Sequence, residues 1–231
     1  GTHEKTLPIN AYQHLDGPKN QICIAQPGAK TWVRSWVPNM ETTGMVIRHG
    51  EAFTISDHLT VWDSNKAIYR PTVHYAYCPT DAAVASMHEL EMRQWELTTN
   101  QRIMNEEIID GDDRLGVLLM GHAYKSWWTG SLLNIHDSRK LIPKQSATTV
   151  QVASAVYAAV AWAMANPNSG YKVPDDLPWQ EVLGYAEKYW GGYHSAAADW
   201  DPLMHRNDLF KGWNNRQYDE SDPWQFSNFL V

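Results

Sequence analysis

Residues capable of chemistry gather at a few points of the chain. His49 and Glu51 flank Gly50, and Asp57 and His58 follow shortly after. His74 lies inside Tyr69-Arg70-Pro71-Thr72-Val73-His74-Tyr75-Ala76-Tyr77. Asp110, Asp112 and Asp113 crowd Gly111, and His122 precedes Trp127-Trp128. Carboxylates hold ammonium groups through charge-assisted hydrogen bonds, and aromatic faces attract cations through the ring quadrupole. Histidines titrate near neutrality and can carry a proton. An acidic, aromatic cleft of this make-up suits a small organic cation. Each feature also has a plainer reading. A strand histidine is ordinarily a hydrogen-bonded core residue, and an Asp-rich turn is ordinarily just a turn.

The common catalytic and cofactor motifs are absent. No G-x-G-x-x-G follows a strand, so the chain has no dinucleotide fingerprint of its own. Gly111 to Gly116 has the glycine spacing of a phosphate loop, but Val117 stands where lysine is needed. There is no G-x-S-x-G elbow. His88-Glu89 opens like a zinc-protease helix, but Met92 occupies the place of the second ligand. No pair of cysteines has zinc spacing, and no metal site is expected.

Composition narrows the classes further. Of 231 residues, 43% are apolar and 19% charged, enough to build a core and too apolar for a disordered tail. The net charge of −7 argues against a nucleic-acid partner. Two cysteines, Cys23 and Cys78, are too few for a disulfide scaffold and are read as reduced thiols. The run Val150 to Ala165 reads as too short for a membrane helix, and no charged leader precedes an apolar stretch. A cytoplasmic location and no membrane partner are therefore expected. The chain opens Gly1-Thr2 without an initiator methionine, compatible with processing, a tag or a fragment of a longer sequence. Its 12 tryptophans exceed ordinary usage and suit core and tail packing, a partner surface or, least well, a sugar-binding face.

The elements that must position these residues divide the chain in three. Residues 1–145 read mostly as strands, 146–190 as helical and 191–231 as an irregular tail. Gln21 to Ala25 is a short apolar run ending at Pro27-Gly28. Thr31 to Val37 alternates with period two. Gly44 to His49 and Ala52 to Ile55 read as strands of a hairpin turning at Gly50-Glu51. Leu59 to Trp62 and Ala67 to Tyr69 flank a turn at Asp63-Ser64-Asn65. Thr80 caps a helix with Ala83, Val84, Met87 and Leu90 on one face. Glu106 to Asp110, Arg114 to His122 and Trp127 to Ile135 read as strands. Ser146 to Asn166 is the strongest helix, and its Val152, Ala155, Val156, Ala159 and Ala163 are expected to face a sheet. A short helix spans roughly Trp179 to Tyr189. The tail is expected to pack over the core through Trp200, Trp213, Trp224 and Phe226. The fold class is α/β, of the α+β type, with a mixed β-sheet packed with helices on at least one face.

Several segments resemble the bacterial homospermidine synthases, relatives of the saccharopine dehydrogenases and carboxynorspermidine synthase. They are Gln26-Pro27-Gly28-Ala29 with Val33-Arg34-Ser35-Trp36, Tyr69-Arg70-Pro71-Thr72 with His74-Tyr75-Ala76-Tyr77, and Gly116-Val117-Leu118-Leu119 with Gly121-His122. Ser221-Asp222-Pro223-Trp224-Gln225-Phe226 extends the likeness nearly to the end. The resemblance implies residues 1–231 are a C-terminal catalytic and dimerisation domain lacking the family's N-terminal Rossmann domain. NAD would be bound mainly by that half, supplied upstream or by a partner chain, and a homodimer is expected. The implied reaction makes homospermidine from putrescine, or from spermidine plus putrescine. It proceeds by oxidation at an amine carbon, exchange of the imine with a second diamine and re-reduction.

The motif match carries active-site roles to His49, as proton shuttle or amine contact, and to Asp113, as partner of the substrate's far ammonium. His74 as a second catalytic histidine, and Glu51 and Asp110 as substrate-binding carboxylates, follow from chemistry and position. The family's cation–π tryptophan lies upstream of Gly1, so the chain alone is expected to be inactive. The alternatives are a non-catalytic polyamine-binding or assembly module, or a carboxynorspermidine synthase or saccharopine dehydrogenase-like enzyme. Carboxylate substrates would call for an arginine clamp, for which Arg34, Arg48 and Arg70 are available.

Overall fold

The computed structural model describes residues 1–5, 11–13, 22–24, 27–206, 212–213 and 216–231, with only the backbone of 11–13 and 22–24. In chain order the strands and α-helices are β1 (Ala11–Gln13), β2 (Ile22–Ile24), β3 (Trp32–Val37), β4 (Met40–Ile47), α1 (Gly50–His58), β5 (Val61–Asp63), β6 (Lys66–Tyr69) and β7 (Tyr75–Tyr77). They continue with α2 (Asp81–Met92), β8 (Asp112–His122), β9 (Lys125–Asn134), α3 (Ile135–Leu141), α4 (Ala147–Ala165), α5 (Trp179–Ala186), β10 (Tyr193–Ala198) and α6 (Phe226–Phe229). The chain divides into two compact units. One comprises Gly1–Glu96, Met120–Ser126 and Asp199–Val231, the other Leu97–Leu119 and Trp127–Ala198.

The first unit is built on the antiparallel sheet β3-β4-β7. Pro38 and Asn39 close the β3–β4 hairpin, with Asn39 at φ 65°, a left-handed conformation that asparagine tolerates after proline. A Cβ on Gly44 would lie 2.9 Å from the backbone of Ala76 and Tyr77, so glycine lets β7 approach β4. Val33 is fully buried, and Arg34 beside it is only 9% exposed. The Arg34 guanidinium pairs with Glu41 and donates to the carbonyls of Pro202 and Met204, each at 2.5 Å. Burial pushes its pKa down, and the satisfied geometry keeps the charge in place. The C-terminal segment is stitched on by buried Asn228, whose side chain accepts from Asp219 N and donates to the carbonyls of Asp219 and Asp222. Val231 N donates to Trp32 O at 2.9 Å.

The second unit carries the sheet ordered β10-β9-β8. Ser146 caps α4, its hydroxyl accepting from Thr149 N at 3.2 Å. Leu133, Ala147 and Val150 form a buried cluster with Tyr189 packed against it. Gly116 passes under Trp128, where a Cβ would fall 2.7 Å or less from the indole.

Several expectations from sequence hold. The β5–β6 hairpin, α2 with its Thr80 cap, β8, β9, α4 and the helical start of α5 form where periodicity placed them. Others are corrected. Ala52 to Ile55 is helical within α1, not a strand. His49 takes an extended N-cap conformation and Glu51 sits in the first turn, where the helix dipole favours an acid, and this outweighs the β-preference of Phe53, Thr54 and Ile55. Glu106 to Asp110 forms no strand. The Glu107 carboxylate takes the N–H groups of Asn105 and Glu106, donors that a ladder would need. The 191–231 tail is not wholly irregular, since Tyr193–Ala198 adds β10 beside β9.

The face of α4 that turns inward also differs from the expected one. Val150, Gln151, Ser154, Ala158 and Trp162 are buried, whereas Val152 and Val156 are exposed. Polarity misled the reading, because both buried polar side chains make a hydrogen bond: Gln151 Nε2 donates to Ser131 Oγ at 2.8 Å, although Gln151 Oε1 has no partner among the described residues, and Trp190 Nε1 donates to Ser154 Oγ at 2.8 Å. At 19 residues, α4 is long and apolar enough to cross a membrane by length and composition alone, which corrects the shorter run read from sequence. Trp200 and Phe226 are buried as expected, but Trp213 is 89% exposed. Cys78 is a free, exposed thiol, and the side chain of Cys23 lies outside the described residues.

Candidate functional site

His49 stands where β4 hands over to α1. Ile47 pairs with Tyr75 across the β4–β7 ladder. His49 is two residues further on and still extended, at φ −136° and ψ 145°. A period of two puts its side chain on the face that carries Tyr75, as a diagonal neighbour. The rings accordingly stack, with centroids 4.6 Å apart and planes at 21°. Tyr77, two residues along β7, continues the column, its ring 6.5 Å from that of Tyr75 at 25°.

Glu51 completes this corner. Its carboxylate is paired with His49 Nδ1. Partial burial works to raise the Glu51 pKa, but hydrogen bonds from its own backbone N–H and from His49 outweigh this and hold it below the usual carboxylate range. An ionised carboxylate can only accept, so Nδ1 carries the proton and Nε2 is the open nitrogen. The His49 side chain is 45% exposed, and Nε2 has no hydrogen-bond partner among the described residues. Arg48 lies over the Phe53 ring at 5.5 Å. The corner therefore presents an exposed carboxylate, an oriented imidazole and two aromatic faces, the parts needed to hold an ammonium group and move a proton beside it.

Of the other sequence-derived candidates, His74 shares this first unit. His74 points away from this column, and its ring packs edge-on against Phe226 at 5.2 Å and Phe229 at 5.5 Å. The residue as a whole is half-buried, but desolvation of the ring pushes its pKa down to about 4. Asp110 and Asp113 belong to the second unit. Asp110 is exposed, accepts from Gly111 N at 2.8 Å and lies 3.6 Å from His136 Nε2. Asp113 is half-buried in β8, and its carbonyl accepts from Gln151 Nε2 at 3.3 Å. Sequence reading passed over Tyr75. The signal was present in the Tyr-Ala-Tyr alternation, but its partner strand was not identified.

Residues 111–116 do not form a phosphate cradle, because from Asp112 onward they are part of strand β8 and not a strand-to-helix turn. Among the described residues no group of three or more His, Cys, Asp or Glu side chains is placed to hold a metal ion.

Comparison with known proteins shows the family of the chain. Residues 1–191 match the saccharopine dehydrogenase C-terminal domain, and the chain belongs to that family. Within it, the chain is 44% identical over 234 aligned positions to a homospermidine synthase of Blastochloris viridis, covering 100% of this chain and 48% of that protein. It is 42% identical to a homospermidine synthase of Mesorhizobium japonicum, covering 47% of that protein. The crystal structure of homospermidine synthase from Legionella pneumophila in complex with NAD superposes with a TM-score of 0.93 at 38% identity, over 100% of this chain and 50% of that one. The chain thus spans about half the length of the curated relatives it matches, and corresponds to their C-terminal part.

Proposed function

We propose that this chain is the substrate-handling part of a homospermidine synthase, acting with an NAD-binding half that these 231 residues do not contain. The observation that carries the reading is the Glu51–His49–Tyr75 corner, an ionised carboxylate and an oriented imidazole on an aromatic face, in a chain whose relatives are homospermidine synthases. Two putrescines would give one homospermidine and one ammonia. NAD, held by the other half, supplies the hydride acceptor and donor, so none is consumed overall. In this chain Glu51 receives an ammonium end, and His49 Nε2 exchanges the proton as the amine carbon becomes an imine and as the second amine adds. Asp113 is an ammonium-binding carboxylate, the role its motif implies, and Asp110 a second one. His74 packs on Phe226 and Phe229 of the C-terminal segment, and desolvation there lowers its pKa to about 4, which makes it a weak proton acceptor near pH 7. A homodimer is part of this reading.

The test is product formation. Putrescine and NAD are incubated with the isolated chain and with the chain joined to a relative's NAD-binding half. Homospermidine should form only in the joined protein and should fall at least about 100-fold in His49→Gln. Turnover by the isolated chain, or a His49→Gln variant of full activity, would contradict the assignment.

A further inference from the structure

We infer that Tyr75 is a positioning residue for His49, and that Glu51 and Tyr75 together fix the imidazole in one tautomer and one orientation with Nε2 presented for proton exchange. The inference rests on the proposed function for its catalytic consequence, but its structural part stands alone.

A histidine that moves protons needs one nitrogen anchored and the other open. The Glu51 pairing supplies the anchor at Nδ1. A single hydrogen bond leaves the ring free to rotate about it, and His49 caps α1 without making a side-chain capping bond that would stop this. The Tyr75 face, 4.6 Å away and inclined by only 21°, removes that freedom. Tyr75 is in turn fixed by ladder pairing with Ile47 and by the Tyr77 ring at 6.5 Å. The support thus lies on the sheet, whereas the anchor lies on the helix, and the imidazole is held between two elements. An electron-rich face beneath the ring also favours the imidazolium that forms when Nε2 takes a proton.

The experiment compares Tyr75→Leu and Tyr75→Phe with the unaltered protein. Long-range nitrogen–proton correlations of the 231-residue chain, assigned by loss of the signal in His49→Gln, report which ring nitrogen is protonated at about pH 8.5, well above the ordinary histidine pKa. The unaltered chain and Tyr75→Phe should show the Nδ1–H form. Without the Tyr75 face the ring swings out of the Glu51 hydrogen bond for part of the time, so Tyr75→Leu should drift toward the mixed tautomers of a free imidazole. In the protein joined to its NAD-binding half, Tyr75→Leu should lower kcat about five- to tenfold with KM within about twofold, and Tyr75→Phe should restore it. An unchanged tautomer in Tyr75→Leu overturns the inference, as does Tyr75→Phe behaving like Tyr75→Leu. If no homospermidine forms in any variant, the proposed function fails while the tautomer measurement still decides the role of Tyr75.

Discussion

Replacing His74 with phenylalanine should flatten the acid limb of the protein's stability. The His74 pKa is about 4 in the folded chain against 6.5 for an ordinary histidine, because its ring is desolvated against Phe226 and Phe229. Between those values the unfolded chain binds a proton at this position and the folded chain does not, so stability falls as pH drops. The contribution is fully present above pH 6.5 and lost progressively toward pH 4. Each pH unit in that window is worth about 1.4 kcal/mol, so His74 should cost the protein about 2 kcal/mol on going from neutrality to about pH 5. The whole window is bounded at about 3 kcal/mol, and the half-burial of the residue makes that an upper figure. Depressed carboxylates act lower, Glu107 from 4.5 to about 2 and Asp219 from 3.8 to about 2, and they act alike in parent and variant, so the comparison isolates His74. His74→Phe keeps an aromatic ring beside Phe226 and Phe229 and removes the proton. The assay is urea unfolding at about pH 7.5 and pH 5, followed by tryptophan fluorescence. The variant should lose about 2 kcal/mol less than the parent between the two conditions. Equal losses would refute the claim that the folded core keeps His74 neutral.

Three further outcomes follow from packing and capping. Ser146→Ala removes the hydroxyl that accepts from Thr149 N and should destabilise α4 by about 1 kcal/mol, read as a lower urea midpoint. Arg34→Met leaves Glu41 without its buried partner and takes a donor from the carbonyls of Pro202, which keeps Arg206 Nε at 2.8 Å, and Met204, and should cost about 3 kcal/mol or more in the same assay. Gly116→Ala puts a methyl against Trp128 and the Thr129 carbonyl and should cost about 1–3 kcal/mol, with a shift in near-ultraviolet tryptophan dichroism.

What the sequence disclosed follows the range of the forces involved. Strongly periodic or capped elements were legible: α4 between Ser146 and Asn166, α2 after Thr80, and β8 and β9. These rest on local patterns and turn chemistry. Helix α1 was missed because Phe53, Thr54 and Ile55 favour strand locally, while the deciding features are the His49 cap and Glu51 at the helix start. Strand β10 was missed because Tyr193-His194-Ser195-Ala196 shows no apolar alternation. Its cross-strand bonds, Thr129 Oγ1 to Tyr193 OH at 2.6 Å and Trp127 Nε1 to Ser195 Oγ at 2.9 Å, are long-range. The pairing of His49 with Glu51 could be suspected from their spacing in either a hairpin or a helix start. The stacking of Tyr75 beneath His49 could not, because it depends on the β4–β7 register. His74 and Tyr75 are neighbours in sequence, yet one packs on Phe226 and Phe229 and the other on His49, a division made where the extended chain enters β7.

A reaction that returns its hydride consumes no NAD overall. The most direct measurement joins the chain to an NAD-binding half, supplies putrescine with NAD, and follows homospermidine by mass spectrometry and NADH by absorbance in the same sample. Homospermidine and ammonia should accumulate in equal amounts over many turnovers of the NAD present, with no matching rise in NADH. Net NADH formed in step with amine consumption, or amine consumed without homospermidine, would contradict it.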